Sequence, residues 1–309
     1  MGDVSIRERA LGSVLGLALG DALGAPFEFH RRNEIPSPLP AFELPWLGSQ
    51  PGTTTDDTAM ARNLIGSLAD HGDLDLRDVL ERHRVWFASN PPDVGAFTRR
   101  VLSAPTMAAR PADEAARLVW EERGPEVSAG NGSVMYCAPL GVAYALRPER
   151  LLEHAPALSG LTHYDGRCKT ACLAVTLAVA ALVRGERAER AVRTAVDAVQ
   201  ELEGGEELEY MVEEAGRARP VDGPDQGFCL FTAGVALRSA VESEAVEAGL
   251  RAVVALGGDT DTNAAVAGAL LGARGGRAGL PAAWLERLVD REAIEREAEA
   301  LASLAESKS

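Results

Sequence analysis

Two apolar segments near opposite ends of the chain carry a glycine at every fourth position. The first set is Gly12, Gly16, Gly20 and Gly24, and the second is Gly268, Gly272 and Gly276. Four-residue spacing places each set on one face of a helix, where an interior glycine costs about 1 kcal/mol relative to alanine. We expect this cost to be offset in one of two ways: by close packing of helices, or by backbone that approaches a ligand.

Helical periodicity extends through most of the chain, and no segment shows the sustained alternation of a strand. The predicted helices cover residues 4–23, 58–69, 76–88, 113–122, 132–145, 170–183, 188–203, 232–240, 246–255 and 262–273. Gly and Pro separate them in loops rather than in flexible linkers. The pattern predicts an all-α fold in a single domain over residues 1–309, with residues 292–309 as a surface helix or a frayed tail.

The charge balance excludes several classes of partner. Lys and Arg total 31 against 46 Asp and Glu, a formal net charge of -15, so bare nucleic acid and anionic membrane surfaces are repelled. The longest apolar run, residues 171–183, is shorter than the roughly 20 residues that span a bilayer, which indicates a buried core helix. The four cysteines form no C-x-x-C pair. We expect a cytoplasmic protein with no membrane partner and no nucleic-acid scaffold role.

The run Thr53-Thr54-Thr55-Asp56-Asp57-Thr58 precedes a predicted helix. A single Thr or Asp would cap that helix and complement its dipole. Adjacent carboxylates exceed this need, and non-helical dihedrals at a helix entrance let both face one point. The run predicts either an acidic helix cap or a site for a hard cation.

A second acidic run, Gly257-Gly258-Asp259-Thr260-Asp261-Thr262-Asn263, leads into the later glycine-bearing segment. Its opening fits an EF-hand loop, but Ala264 and Leu270 occupy the required Gly and Glu positions. Oxygen ligands favour Mg²⁺, Mn²⁺ or Ca²⁺ over zinc. If the two runs converge, two carboxylates ~4 Å apart repel each other by about 4 kcal/mol at an effective dielectric constant of about 20. Two divalent cations would neutralise such a site.

Five motifs in order give the chain a specific resemblance. They are Gly12-x-x-x-Gly16-x-x-x-Gly20-Asp21-Ala22-Leu23-Gly24-Ala25-Pro26-Phe27-Glu28-Phe29, Thr55-Asp56-Asp57-Thr58, Gly130-Asn131-Gly132-Ser133-x-Met135, Thr162-His163 and Gly257-Gly258-Asp259-Thr260-Asp261-Thr262. Together they resemble the ADP-ribosylglycohydrolase family over residues 4–276. That family includes the dinitrogenase reductase activating glycohydrolase and the ADP-ribosylarginine hydrolases.

The resemblance implies a compact orthogonal helical bundle around a binuclear Mg²⁺ or Mn²⁺ centre. The implied metal ligands are Thr55, Asp56, Asp57, Asp259, Asp261 and Thr262. Glu28 falls on the family's mobile acidic position near the metals; without the resemblance it would be read as a solvated surface residue. Glu28 and the four aspartates are thereby the implied catalytic carboxylates, and which of them takes the proton of water stays open.

The resemblance also implies a substrate-binding set: Gly130, Asn131, Gly132, Ser133 and His163. From the residues alone, the glycine-rich run is either a plain helix cap or the anion-binding start of a helix suited to a pyrophosphate. His163 taken alone has a structural role as its alternative. The implied reaction is hydrolysis of the bond between ADP-ribose and a side chain, arginine favoured, or a small acceptor.

Two other functional classes compete with the enzyme: a structural relative of the family and a non-catalytic ADP-ribose-binding protein. A structural relative is expected to have lost ligand carboxylates, whereas all four aspartates are present here. The implied partner of the enzyme is an ADP-ribosylated protein or small molecule. The sequence leaves the oligomeric state open.

One position departs from the family pattern. Where many relatives have Arg after the Met of the glycine-rich motif, this chain has Tyr136. Tyr136 either fills core space behind the site or changes substrate recognition, because Tyr offers one hydroxyl where Arg offers a fixed cation.

Overall fold

The computed structural model describes residues 4–105 and 110–307. Within them the chain is all-α, as predicted, and it contains no β-strand, only isolated bridges. The helices are α1 (Ile6–Gly24), α2 (Asp56–His71), α3 (Leu76–Ala88), α4 (Ala96–Leu102), α5 (Glu114–Arg123), α6 (Ala138–Ala143), α7 (Leu151–Gly160), α8 (Gly166–Val183), α9 (Ala188–Asp197), α10 (Gly205–Glu214), α11 (Cys229–Glu242), α12 (Val246–Val254), α13 (Thr260–Gly275), α14 (Ala282–Leu285) and α15 (Arg291–Glu306).

The two glycine stripes pack against each other in the centre of the molecule. A Cβ added to Gly16 would lie 2.2 Å from the Gly268 carbonyl oxygen, and one added to Gly12 would lie 2.3 Å from that of Gly272. As the residue number rises on α1 it falls on α13, so the helices are antiparallel. The glycines therefore serve close helix packing, the first of the two expected explanations.

The predicted helix over residues 132–145 is wrong in its first half. Residues 132–136 form turns, and α6 covers only Ala138–Ala143. Pro139 explains the difference, because proline lacks an N–H and is tolerated only in the first turn of a helix. The 130–133 segment is consequently a loop held by turns rather than the start of a helix.

Two helices are long and apolar enough to cross a membrane by length and composition. They are α1 with its short extension to Phe27, and α8. Of the 18 most apolar residues of each, 94% in the first and 78% in the second are buried in the protein. In this structure both therefore pack as core helices.

The C-terminal helix α15 packs against α1 and α2. It buries Ile294, Ala298 and Leu301, and its outer face pairs Glu299 and Glu306 with Arg7 of α1. Residues 308–309 of the predicted tail lie outside the described residues.

Candidate active site

The antiparallel packing of α1 and α13 brings the end of one helix beside the start of the other. Beyond α1, the Phe29 N–H donates to the Gly258 carbonyl at 2.7 Å, and His30 and Gly258 form an antiparallel bridge. Gly258 has a φ of 79°, which glycine adopts without strain. This pairing places Glu28 next to Asp259, although 230 residues of sequence lie between them.

Asp21, near the end of α1, holds the start of α2 in place. Its buried carboxylate accepts hydrogen bonds from the backbone N–H groups of Thr55 and Thr58, each at 3.0 Å, and from the Thr58 hydroxyl. Asp21 lies in the first sequence motif, but sequence reasoning gave it no role. Because it caps this helix, Asp21 fixes the orientation of the Asp56 and Asp57 side chains in its first turn.

The three segments together form an acidic cluster of Glu28, Asp56, Asp57, Asp259 and Asp261. Carboxylate oxygens of Glu28, Asp259 and Asp261 lie within 4.8 Å of one another. The Asp57 Oδ2 accepts from the hydroxyl of Thr262 at 3.4 Å and contacts that of Thr55 at 3.3 Å. The structure thus brings together all the carboxylates and both threonines expected at the metal site.

Burial and mutual repulsion perturb the acidic cluster. Burial, followed by the charge of Asp259, raises the pKa of Glu28 to about 8, and burial also raises the pKa of Asp56 to about 8. The pKa values of Asp57 and Asp261 are raised well above the ordinary value, again first by burial. The protein alone does not neutralise these charges, because the buried Asp57 Oδ1 has no hydrogen-bond partner among the described residues.

The 130–133 loop closes one side of the acidic cluster. The Asn131 side chain donates to Asp259 Oδ2 at 2.9 Å and to the Thr232 hydroxyl at 3.0 Å, so it orients a cluster carboxylate. The Ser133 hydroxyl is fully buried against that of Ser159 at 2.9 Å. Gly130, Asn131 and Gly132 line the cavity over the cluster, whereas Ser133 lies behind it.

His163 also lines this cavity, beside the 130–133 loop. Its ring stacks on Phe97, with centroids 5.0 Å apart and planes at 26°. Burial lowers its pKa to about 4. The imidazole is therefore neutral near pH 7, with one nitrogen as donor and the other as acceptor.

The cavity has a volume of about 200 Å³. Its walls include Phe29, Asp93 and Phe97, to which sequence reasoning gave no role. Asp93 was missed because residues 90–95 showed only the Pro and Asp of a surface loop. Four other hollows are larger, at 260, 390, 550 and 600 Å³. Each of them is lined by an ion pair: Arg184–Glu186, Arg110–Glu114, Arg277–Glu295 and Arg217–Glu242, respectively. The smaller cavity is the candidate site because it holds the unpaired carboxylates.

Known proteins are similar to this chain over nearly its whole length. The profile of the ADP-ribosylglycohydrolase family matches residues 3–309. The ADP-ribosyl-[dinitrogen reductase] glycohydrolase of Rhodospirillum rubrum is 34% identical, over 97% of this chain and 98% of that protein. The ADP-ribosylarginine hydrolase Tri1 of Serratia proteamaculans is 27% identical, over 95% of this chain and 79% of that protein.

Two further similarities bear on fold and substrate class. Human ADP-ribosylhydrolase ARH3 is 27% identical over 89% of this chain and 88% of that protein. Among solved structures, one described as an ADP-ribosylglycohydrolase-related protein complex superposes with a TM-score of 0.81. It is 31% identical and covers 97% of this chain and 99% of its own.

Proposed function

This chain belongs to the ADP-ribosylglycohydrolase family and is a hydrolase of ADP-ribose linkages; on that premise we propose that it removes ADP-ribose from arginine side chains with the help of two divalent cations. The acidic cluster supports the metal dependence. The charge of the cavity walls supports the choice of linkage.

The donor set fits hard cations. All the side chains that meet at the cluster offer carboxylate or hydroxyl oxygen, the ligands that Mg²⁺ and Mn²⁺ prefer. The unpartnered Asp57 Oδ1 and the raised pKa values of Glu28 and Asp56 indicate that this site lacks positive charge. We assign Thr55, Asp56, Asp57, Asp259, Asp261 and Thr262 as metal ligands. When bound, the cations supply Lewis acidity and neutralise the cluster.

Different residues of the protein have different roles in hydrolysis. The substrate ribose lies over the acidic cluster, where carboxylates stabilise the positive charge that develops at the anomeric carbon as the glycosidic bond breaks. Glu28 is the least buried member of the cluster. Bound cations would favour its ionised form, which can accept the proton of the attacking water at the cavity wall. Gly130, Asn131 and Gly132 line the wall along which the rest of ADP-ribose binds.

Cavity charge supports an arginine-linked substrate. Among the described residues that line the cavity there is no lysine or arginine, whereas Asp93 and Glu28 lie at its walls. Burial and the charge of Asp259 raise the pKa of Asp93 and outweigh the opposing effects of the Val94 N–H and the Arg99 charge, so a further cation near Asp93 would be favoured. The guanidinium of a modified arginine carries that charge, and the hydroxyl of a modified serine does not.

Two peptides of equal sequence, ADP-ribosylated on Arg or on Ser, test this proposal through the release of free ADP-ribose. We expect kcat/KM to be at least about 10-fold higher for the Arg-linked peptide, or about 1.4 kcal/mol. Asp93→Asn should reduce this preference at least threefold, and the exposed Asp197→Asn is its matched control. Faster release from the Ser-linked peptide would overturn the arginine assignment.

Metal dependence is tested separately. Exhaustive dialysis against EDTA should abolish release from both peptides, and Mg²⁺ or Mn²⁺ should restore it while Zn²⁺ restores it poorly. Full activity in protein verified to be free of metal would overturn the two-cation proposal without affecting the assignment of the substrate.

A further inference from the structure

Phe97 and Gly132 hold the imidazole of His163 from two sides. Phe97 stacks on the ring, while a Cβ added to Gly132 would lie 2.6 Å from Cε1 and 3.1 Å from Nε2. Only a glycine backbone can come this close. Among the described residues Nε2 has no hydrogen-bond partner, and the ring lines the cavity. Nε2 is therefore the nitrogen available to a ligand.

The other ring nitrogen belongs to a buried chain of hydroxyl groups. His163 Nδ1 lies 3.1 Å from the Thr162 hydroxyl, which lies 3.1 Å from the Tyr136 hydroxyl. Tyr136 and Thr162 are 0% exposed and His163 is 2% exposed. Water therefore does not compete for these hydrogen bonds, and each proton must point to a protein acceptor.

Proton positions along the chain follow from the distances. Tyr136 has two acceptors in reach, the Thr162 hydroxyl at 3.1 Å and the Leu158 carbonyl at 3.5 Å, and the shorter contact is the stronger hydrogen bond. When Tyr136 donates to Thr162, the Thr162 proton is directed to His163 Nδ1. An imidazole that accepts at Nδ1 and is neutral carries its proton on Nε2.

We infer that Tyr136 is a positioning residue that acts through Thr162 to hold His163 as the Nε2–H tautomer, so that this N–H can donate to an oxygen of bound ADP-ribose. The inference deepens the proposed function, since it rests on ADP-ribose binding in this cavity. The tautomer itself is a property of the ligand-free protein and can be measured without any substrate.

The space around Tyr136 is suited to an aromatic ring. His83 lies against it with centroids 5.0 Å apart and planes at 70°. His83 Nδ1 is paired with the Asn63 amide at 3.2 Å, and its buried Nε2 has no hydrogen-bond partner within the described part of the chain. An arginine in this place would add buried positive charge without a carboxylate, which is costly. Tyrosine here packs with His83 and still supplies the hydroxyl that the His163 chain needs.

The tautomer of His163 can be read from long-range ¹⁵N–¹H NMR spectra of ¹⁵N-histidine-labelled protein, with His163→Gln used to assign the signal. In the wild-type protein we expect the Nε2–H form to dominate. In Tyr136→Phe and in Thr162→Val the Nδ1–H form should increase at least threefold. Tyr144→Phe removes the hydroxyl of another fully buried tyrosine and should leave the His163 signal unchanged.

Kinetics give the second readout. Tyr136→Phe should lower kcat/KM by about 3- to 10-fold, the size of one net hydrogen bond, mainly through KM. The double variant with Thr162→Val should lose no more than the stronger single variant, because both substitutions break one chain.

An unchanged tautomer in Tyr136→Phe, or losses that add in the double variant, would overturn the inference. If Tyr136→Phe shifts the tautomer but leaves ADP-ribose affinity and kcat/KM unchanged, the hydrogen-bonded chain exists but His163 does not donate to the ligand. That result overturns the positioning role while leaving the family's hydrolytic activity intact.

Discussion

Asp56 illustrates how a residue can oppose stability and serve function. Its carboxylate is buried among Asp93, Asp21 and Asp259, and burial together with these charges raises its pKa to about 8. Without cations the folded protein must either carry this repulsion or bind a proton. The same charge becomes favourable once a divalent cation is bound.

Asp56→Asn removes the charge while nearly preserving the shape. We expect turnover to fall at least about 10²-fold, the scale of losing an electrostatic contact at the reacting centre. In EDTA the variant should be more stable than the wild type by at least about 1 kcal/mol, which raises the melting temperature by roughly 1.5 °C. Asp197→Asn should change neither quantity. Wild-type turnover together with unchanged melting in EDTA would mean that the carboxylate serves only as part of a helix cap.

His83 should give the protein a defined sensitivity to acid. Burial lowers its pKa to about 3, so the folded protein keeps it neutral while the unfolded chain takes a proton below about pH 6.5. The contribution of His83 to stability is therefore complete above pH 6.5 and is lost as pH falls toward 3, by up to about 1.4 kcal/mol per pH unit.

Urea unfolding at pH 7.0, 5.5 and 4.5 measures this effect when the wild type is compared with His83→Gln. The variant should be less stable at neutral pH, because it loses the contact with Tyr136. The difference in the free energy of unfolding between the two proteins should decrease on acidification, because only the wild type loses the contribution of His83. Parallel stability curves for the two proteins would show that His83 does not titrate in this way.

At the scale of helices, the α1–α13 contact sets the geometry of the acidic cluster. A Cβ on Gly268 would lie 2.0 Å from the Gly16 carbonyl oxygen, whereas one on Gly275, in the last turn of the same helix, meets only Val246 Cγ2 at 3.5 Å. The two positions differ in contact with α1 rather than in helical conformation. They therefore form a matched pair for substitution.

Gly268→Ala should destabilise the protein by at least about 3 kcal/mol, because backbone cannot move aside as a side chain can. Gly275→Ala should be neutral or stabilising by up to about 1 kcal/mol. Differential scanning calorimetry of both variants checks this. Equal melting temperatures would show that the helices separate at little cost.

The helices also show what the sequence could predict. Residues 76–88 form α3 as predicted, because its buried and exposed faces alternate with helical period. The prediction for residues 132–145 was wrong because nearly all these residues are buried, so polarity does not distinguish a turn from a helix. Pro139 was the available signal.

The candidate site likewise contains residues that the sequence predicts and residues that only the tertiary structure reveals. Asp56, Asp57, Asp259 and Asp261 stand out as local clusters in the sequence, and the cavity contains all of them. Asp93 and Phe97 reach the cavity through the packing of α4 and the loop before it, which no local pattern specifies. The hydrogen-bonded chain from Tyr136 to His163 begins with a contact between the hydroxyl groups of Tyr136 and Thr162, which are 26 positions apart. Only tertiary structure aligns these two hydroxyl groups.

Across the whole molecule, the first and last helices are packed together. α15 buries Leu301 completely, while its neighbour Glu299 is half exposed in an ion pair with Arg7. Buried apolar contacts contribute more to stability than exposed ion pairs. We therefore propose that residues 291–306 belong to the same folding unit as the rest of the chain.

Leu301→Ala should lower the free energy of unfolding by about 2–5 kcal/mol, whereas Glu299→Gln should lower it by less than about 1 kcal/mol. A single cooperative urea transition in both variants is expected if the chain is one domain. A small effect of Leu301→Ala, or a separate early transition for α15, would show that this helix is an independent tail.

The pairing of α1 with α13 has a consequence for biosynthesis. Gly272, which packs against Gly12, is translated about 260 residues later. At about 5–20 residues per second this is a delay of roughly 10–50 s. For that time the nascent chain carries an apolar helix, long enough to cross a membrane, whose main partner does not yet exist. To reach the fold described above, α1 must therefore stay free of other apolar partners until α13 emerges.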